Sequence, residues 1–401
     1  MATTTHPRIA IIGGGPGPLV LALTLYRRGI PSTVYKRDTS VDSRAHIGGM
    51  LDLKYESGQR ALSENGLEET FARNSRPEAA TIPGYDSAGN VPFVQDPDPN
   101  RNPKDISPEI DRSVLRKILL DAIPSDAVKW GHALASVRDL GNGLRELTSA
   151  NGNTAVVDIL VGADGANSRV RPLVSAAVPT YTGVTGAEIS IAPEDTKKPE
   201  LQDAVELVGR GSMFSWGPEK MFGSQLNGDG RIRTYAWFPA PTDWKLPGDP
   251  AEARKVLLEI VKDWTPSFRK LIEHCDDNAI YQRPLYRLPL DHKWEHVPGV
   301  TILGDAAHLA SPSGGGEGAN LTMLDALELG IVLANAINGG RSVEEREEAI
   351  AVWEEERMTV ANRIAVISDE NLQACVSPDA PASVPKAMAK FVAEQKERQK
   401  A

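Results

Sequence analysis

The stretch that most constrains this chain is residues 304–320, GDAAHLASPSGGGEGAN, which follows the short apolar run Val300-Thr301-Ile302-Leu303. Such a run reads as a buried strand, and it leads straight into Gly304-Asp305. One proline and five glycines lie within the stretch, so bare backbone can approach a flat partner. Asp305 offers a carboxylate that can accept from sugar hydroxyls. A helix is predicted to begin at Gly318-Ala319-Asn320, where its unpaired N–H groups face the same space. His308 reads as a structural part of this motif rather than as a base.

Two other strand ends can complete the cradle. Residues 8–12 (RIAII) form a compact apolar run, residues 13–17 (GGGPG) a turn, and residues 19–28 have helical spacing before Gly29. Residues 32–35 supply a second strand, so the segment predicts a βαβ unit in which Gly13 and Gly15 let backbone approach a pyrophosphate. The third fingerprint position holds Pro18, which a first helical turn tolerates. The second strand is expected to end in a carboxylate for the ribose hydroxyls, but it ends in Lys36, followed by Arg37 and Asp38. The ribose is therefore left to Asp38, to backbone, or to weaker contacts. Further on, residues 156–161 (VVDILV) predict another buried strand running into Gly162-Ala163-Asp164-Gly165 and a helix from about Asn167-Ser168.

Between these legs, residues 44–53 (RAHIGGMLDL) carry Arg44, Gly48-Gly49 and Asp52 before a helix-like stretch, and spacing alone also allows a plain turn. Residues 108–123 (PEIDRSVLRKILLDAI) read as an amphipathic helix with Leu115, Ile118, Leu119 and Ile123 on one stripe; by itself, Arg112 near its start reads as a solvated charge. From about residue 179 to 284 the texture changes to strands and turns. Residues 231–238 (RIRTYAWF) alternate, with Ile232, Ala236 and Phe238 on one face and Arg233, Tyr235 and Trp237 on the other. Such a face can roof a planar ligand or pack on a neighbour. Gln225, Arg233, Tyr235 and Trp237 are the candidate pocket residues, chosen by strand alternation and position. Ser342 to Glu345 form a capping box for a long helix with Ile350, Trp353, Val360, Ile364 and Ile367 at helical spacing, and its glutamates read as the wet face.

Net charge is −10 over 401 residues, so there is no basic field to collect nucleic acid or anionic lipid, and the expected ligand is a small molecule. The two cysteines, Cys275 and Cys375, give neither a disulfide framework nor a metal cluster and suit a reducing, cytoplasmic setting. The apolar N-terminal run is cut by GGGPGP, too short on either side for a membrane span or a signal sequence. With no long apolar surface stripe, a monomer or weak dimer is expected.

Taken together, GGGPG at 13–17, GADG at 162–165 and GDAAH at 304–308 resemble, in order and spacing, the FAD-dependent aromatic hydroxylase-like monooxygenases. The likeness is to the tetracycline-degrading monooxygenases and their relatives in fungal and bacterial secondary metabolism. It runs through GGMLDL, PEIDRSVLRKILL, ELVGRGSMF and the final helix ending in SPDAP. It implies an α/β fold in which a glutathione-reductase-type FAD-binding domain, Rossmann-like in its βαβ unit, is interleaved with a mixed-sheet substrate domain, plus a long C-terminal helix. The expected division is residues 1–76, 105–178 and 285–340 for FAD, 77–104 and 179–284 for substrate, and 341–401 as the helical segment.

The resemblance also implies roles. Gly13 and Gly15 would lie at the FAD pyrophosphate, and Arg37, Arg44 and Arg112 would contact the cofactor. Asp52 would lie near the flavin or ribityl chain, Asp164-Gly165 would serve both FAD and NAD(P)H, and Asp305 would accept from a ribitol hydroxyl. Pro312 with Gly318, Ala319 and Asn320 would border the isoalloxazine. NAD(P)H would reduce the flavin, oxygen would add at C4a, and the distal oxygen of the hydroperoxide would pass to an electron-rich carbon of an aromatic or polycyclic natural product. Such flavin-driven chemistry needs no dedicated nucleophile and no metal. Four departures from the family pattern touch the cofactor: Pro18, Lys36, the offset Arg44, and a loop at 312–318 (PSGGGEG) that is one residue longer and lacks a bulky residue after the proline. They support a second reading, a relative with weakened or lost FAD binding that uses its pocket for non-redox cyclisation, isomerisation or ligand binding.

Overall fold

The computed structural model describes residues 6–44, 48–79, 82–91, 93–95, 102–312, 317–380 and 382–384. Its centre is a five-stranded parallel sheet in the order Val300–Ile302, Ile159–Gly162, Ile9–Ile12, Thr33–Tyr35, Val128–Lys129. The middle strand is buried on both faces, as parallel sheets require, and its alternation sends Ile9 and Ile11 into one core and Ala10 and Ile12 into another. Helices Pro16–Arg27 and Glu317–Asn338 cover the first core, and the antiparallel strands Leu134–Gly141, Leu144–Ser149 and Thr154–Val157 lie over the second.

The first helix starts at Pro16 rather than Leu19, with Pro16 and Pro18 both in its opening turn, where a missing N–H leaves no bond unmade. Close packing falls to Gly17. A Cβ there would sit 2.2 Å from Thr322 Cγ2 on the helix Glu317–Asn338, and one at Gly330 would sit 2.5 Å from Thr24 Cγ2. That second helix is long and apolar enough to cross a membrane, yet here it is mostly buried as a core helix.

Other expectations change where side chains or neighbouring strands intervene. Residues 156–161 are not one strand: Thr154–Val157 pairs in the antiparallel sheet and Ile159–Gly162 in the parallel one. Asp158 marks the break, accepting from the Arg8 backbone N–H and guanidinium, each at 2.8 Å. No α-helix follows at Asn167-Ser168, only a 3-10 turn at Arg171–Leu173. Ser168 Oγ accepts from the backbone N–H groups of Val170 and Arg171, at 3.1 and 3.0 Å, and such bonds compete with a helix. The segment expected as a helix from 108 begins as the strand Glu109–Asp111, paired with Met50–Asp52, and turns helical at Arg112–Asp121. Its Leu115, Ile118, Leu119 and Ile123 are buried.

A seven-stranded mixed sheet stands across from the parallel one, in the order Ile280–Gln282, Val184–Ile191, Ile232–Pro239, Lys220–Leu226, Ser212–Gly217, Ile82–Asp86, Phe93–Gln95. One face buries Ile232, Ala236 and Phe238. The C-terminal helix Val343–Cys375 has its capping box intact, Ser342 N donating to Glu345 Oε2 at 2.8 Å and Glu345 N to Ser342 Oγ at 3.2 Å. Ile350, Trp353, Ile364 and Ile367 are buried, while Val360 faces outward at 36% exposure.

The wet-face reading of that helix's glutamates fails at two positions. Glu354, 1% exposed, accepts from Thr301 Oγ1 at 2.6 Å and lies 2.8 Å from His296 Nδ1. Glu347 accepts from Gly299 N at 2.8 Å. These carboxylates fasten the helix to the strand that feeds residues 304–312. Glu354→Ala strands the Thr301 hydroxyl and His296 and is expected to lower unfolding free energy by about 2–4 kcal/mol, read from the urea midpoint. A loss no larger than that of an exposed Glu355→Ala control would refute the anchoring role.

Candidate active site

A cavity of about 1120 Å³ opens at the carboxyl ends of the strands Ile9–Ile12, Ile159–Gly162 and Val300–Ile302 and reaches the mixed sheet. This is where open α/β sheets place ligands. Its volume is at the upper end of small-molecule sites, roughly 300–1,000 Å³. The three legs meet there because their backbones touch. Gly13 has φ +128°, and a Cβ on it would lie 2.1 Å from the Ala163 carbonyl oxygen. Only glycine fits. At Gly15, Gly165 and Gly318, all on the wall, an added Cβ would meet no atom within 4 Å, so backbone there faces open cavity.

One residue that sequence reasoning missed ties the second leg to the third. Arg171, 3% exposed, donates from Nε to Ala306 O at 2.7 Å and from Nη2 to Ala166 O at 2.7 Å and Asp305 O at 3.1 Å. A guanidinium's fixed fork suits several carbonyls at once. No periodicity marks it; the only signal was an arginine just after GADG.

Of the residues expected at a cofactor, Gly13, Gly15, Arg37, Asp52, Arg112, Asp164, Gly165, Asp305, Pro312, Gly318 and Ala319 all line this cavity. Arg112 lays its side chain on Gly48, where a Cβ would be 3.0 Å from Arg112 Cδ. Asp164 is on the wall, but its carboxylate already accepts from Ser168 Oγ at 2.5 Å and Arg169 N at 2.7 Å, so it shapes the turn. Asn320 is not a wall residue. Its fully buried side chain accepts from Lys54 N (2.9 Å) and Gly58 N (3.2 Å) and donates to Asp52 O (2.7 Å), bracing the 52–58 segment against the helix. The Arg44 side chain and residues 313–316, which carry the lengthened loop, lie outside the described residues.

Gln225, Tyr235 and Trp237 line the far end with Phe214, while Ala361, Ile364 and Ser368 of the C-terminal helix form another part of the wall. Arg233 does not line the cavity. It is 4% exposed and donates to Glu188 Oε1 at 2.6 Å, and Arg283 holds the other oxygen at 2.7 Å. Strand alternation gave the correct face but could not show that a carboxylate on the adjacent strand claims this arginine. His308 Nε2 lies 2.5 Å from Asp325 Oδ2. Burial works to lower its pKa, but the adjacent Asp325 carboxylate outweighs burial and raises it. At the opposite end Lys36 lies over Gly14, a Cβ there falling 2.4 Å from Lys36 Cδ, with Nζ 3.1 Å from Asp38 Oδ2. Of the ways left open for holding a ribose, the Asp38 carboxylate is thus engaged by Lys36.

Backbone open to the cavity at three glycines, two helix starts beside it and the carboxylates of Asp52 and Asp305 on its wall fit an extended dinucleotide, and the aromatic sheet fits a flat ring at its far end. That combination defines a flavin-dependent oxidoreductase. The chain belongs to the FAD binding domain family, which it matches over residues 7–367. It is 27% identical to Monooxygenase penA of Penicillium thymicola over 425 aligned residues, 93% of this chain and 96% of that one. HpxO of Klebsiella pneumoniae, solved with FAD and uric acid, superposes with a TM-score of 0.77 at 21% identity, covering 96% of this chain and 93% of that one. Tetracycline destructase Tet(51) does so with 0.71 at 17% identity, covering 97% and 96%. FAD is the cofactor of this chain, and it is a flavin-dependent monooxygenase.

Gly13→Ala tests the backbone contact. It drives a methyl into Ala163 and is expected to cost about 1–3 kcal/mol of stability and to abolish retention of FAD through gel filtration. A variant that remains yellow with an unchanged melting temperature would refute the requirement.

Proposed function

We propose that the chain is an NAD(P)H-using monooxygenase that hydroxylates or epoxidises a planar aromatic or polycyclic small molecule. The observation that carries this reading is the continuity of one cavity, from the glycine legs at the sheet ends to the Phe214, Tyr235 and Trp237 face. When bound, FAD supplies the electron transfer and oxygen activation. The chain's own residues bind, orient and keep water out. Gly13, Gly15, Asp305 and the first turn at Gly318-Ala319 would hold the dinucleotide by backbone and carboxylate, Arg112 and Arg37 would contact it by charge, and Asp164-Gly165 would border the approach of the nicotinamide. Trp237 and Phe214 would face one side of the substrate and Ile364 another, giving a largely apolar slot that selects flat molecules.

A second reading, non-redox use of the same pocket, is favoured only by the Lys36–Asp38 pair at the adenosine end. One experiment separates the two. The purified chain is expected to be yellow, to bleach with NADPH and to regain colour in air; a chain that stays colourless after FAD reconstitution overturns the oxygenase reading. Lys36→Glu is expected to tighten FAD, and an unchanged dissociation constant would show that backbone already holds the ribose. Trp237→Ala is expected to raise KM for a planar substrate by roughly 10-fold or more while leaving the FAD content intact. Lost FAD would instead place Trp237 at the cofactor.

A further inference from the structure

Glu109 is fully buried in the strand that pairs with Met50–Asp52, and the register sets it opposite Asp52. Its Oε1 accepts from Ser212 Oγ at 2.8 Å. Its Oε2 meets no hydrogen-bond partner among the described residues, and the Asp52 carboxyl is the acidic neighbour that the register sets on the same face of the strand pair. Two carboxyl groups set side by side, one of them buried with an oxygen left without a donor, are relieved of their mutual repulsion by a proton kept between them.

The charges around the pair do not replace that proton. Arg76 donates its backbone N–H to Glu109 O at 2.8 Å, but its guanidinium lies 3.0 Å from Asp111. Lys54, beyond Asp52, lies 2.6 Å from Glu317. From the mixed sheet the neutral groups Ser212 and Gln225 approach. Ser212 Oγ accepts from Gln225 Nε2 at 3.3 Å, and Gln225 Oε1 accepts from Met50 N at 3.1 Å. Arg112 stands on the cavity wall beyond Asp111. Asp52 and Gln225 both border the cavity, so the buried Glu109 touches it through them.

We propose that Asp52 and Glu109 hold one proton between them as a proton-storing station on the wall of the cofactor cavity, with Glu109 a positioning residue that acts through Asp52. Its bearing on FAD rests on the oxygenase reading above; the stored proton itself does not. Burial, and then the negative charge of Asp52, push Glu109 from its ordinary 4.5 up to about 9, and burial also raises Asp52, so the pair keeps a proton at neutral pH. The folded chain therefore binds a proton that the unfolded chain has released, and stability falls as pH rises from about 4.5 to about 9. Above that range the proton is lost and a further negative charge appears beside a cavity meant for an anionic dinucleotide, and FAD binding weakens.

Glu109→Gln tests this, because the amide can still accept from Ser212 and donate to Asp52, a fixed copy of the protonated state. The full chain without added FAD is expected to show a protonated-carboxyl infrared band at neutral pH that is lost on titration through about pH 9; Glu109→Gln should lack the band and lose one proton's slope from its stability–pH curve. With FAD, the wild-type dissociation constant should rise by up to about tenfold per pH unit above that point, and the variant's should stay flat. If Glu109→Gln does not fold, Asp52→Asn serves: removing the neighbouring charge should move loss of the band to lower pH. A band shared by wild type and Glu109→Gln, or identical pH slopes in both, overturns the proposal. FAD that fails to bind at any pH overturns the oxygenase reading while leaving the infrared and stability signatures in place.

Discussion

The cavity depends on the backbone contact between Gly13 and Ala163, which brings the first two strand ends together. Gly13 N donates to Tyr35 O at 3.0 Å and Ala163 N to Ile12 O at 2.8 Å, so the first turn is pinned on both sides by the strands flanking it. Arg171 then joins the second leg to the third through carbonyls alone. A buried guanidinium bonded to carbonyls gathers dipoles without consuming a carboxylate. That leaves Asp305 on the cavity wall, exposed, where a carboxylate can accept from a ligand.

Local patterns carried most of the legs. A strand of four buried residues, a glycine turn and a helix start are short-range features, and residues 9–27 follow them to within a few positions. What escaped was decided by partners far along the chain. Asn320 sits where a helix-start contact was expected, yet its side chain is taken by Lys54, Gly58 and Asp52, more than 250 residues away. Arg233 is on the expected face but is claimed by Glu188 on the adjacent strand. Glu347 and Glu354 look like solvated charges in a long helix, and only the placement of the edge strand turns them inward. In each case residue type and period were readable, and the competing hydrogen bond was not.

The cavity does not share the acidic excess of the whole chain. With −10 overall, Lys36, Arg37, Arg112 and Arg169 still stand along the walls that would meet an anionic dinucleotide. They stand against Asp52, Asp164, Asp305 and Glu317 on the same walls, of which Asp164 is bonded within its own turn and Glu317 to Lys54. Cations placed beside the ligand, inside a concave space, matter more for a bound anion than the sum over the surface.

The two halves of the cavity must also keep a fixed separation, or a substrate on the aromatic sheet would not reach a flavin ring at the glycine legs. That separation is set at Gly49. A Cβ there would lie 2.1 Å from Gln225 Oε1 and 3.0 Å from Tyr235 OH, so two wall residues of the mixed sheet rest directly on the backbone just before the strand Met50–Asp52. Gln225 bonds Met50 N in the same place, and Ser212, its neighbour in the sheet, bonds Glu109. The aromatic wall, the carboxyl pair and the glycine pair at 48–49 thus form one contact region. A side chain at Gly49 would displace the Gln225 amide from Met50 N and crowd the Tyr235 hydroxyl, which gives that glycine a reason in distance rather than in backbone angle.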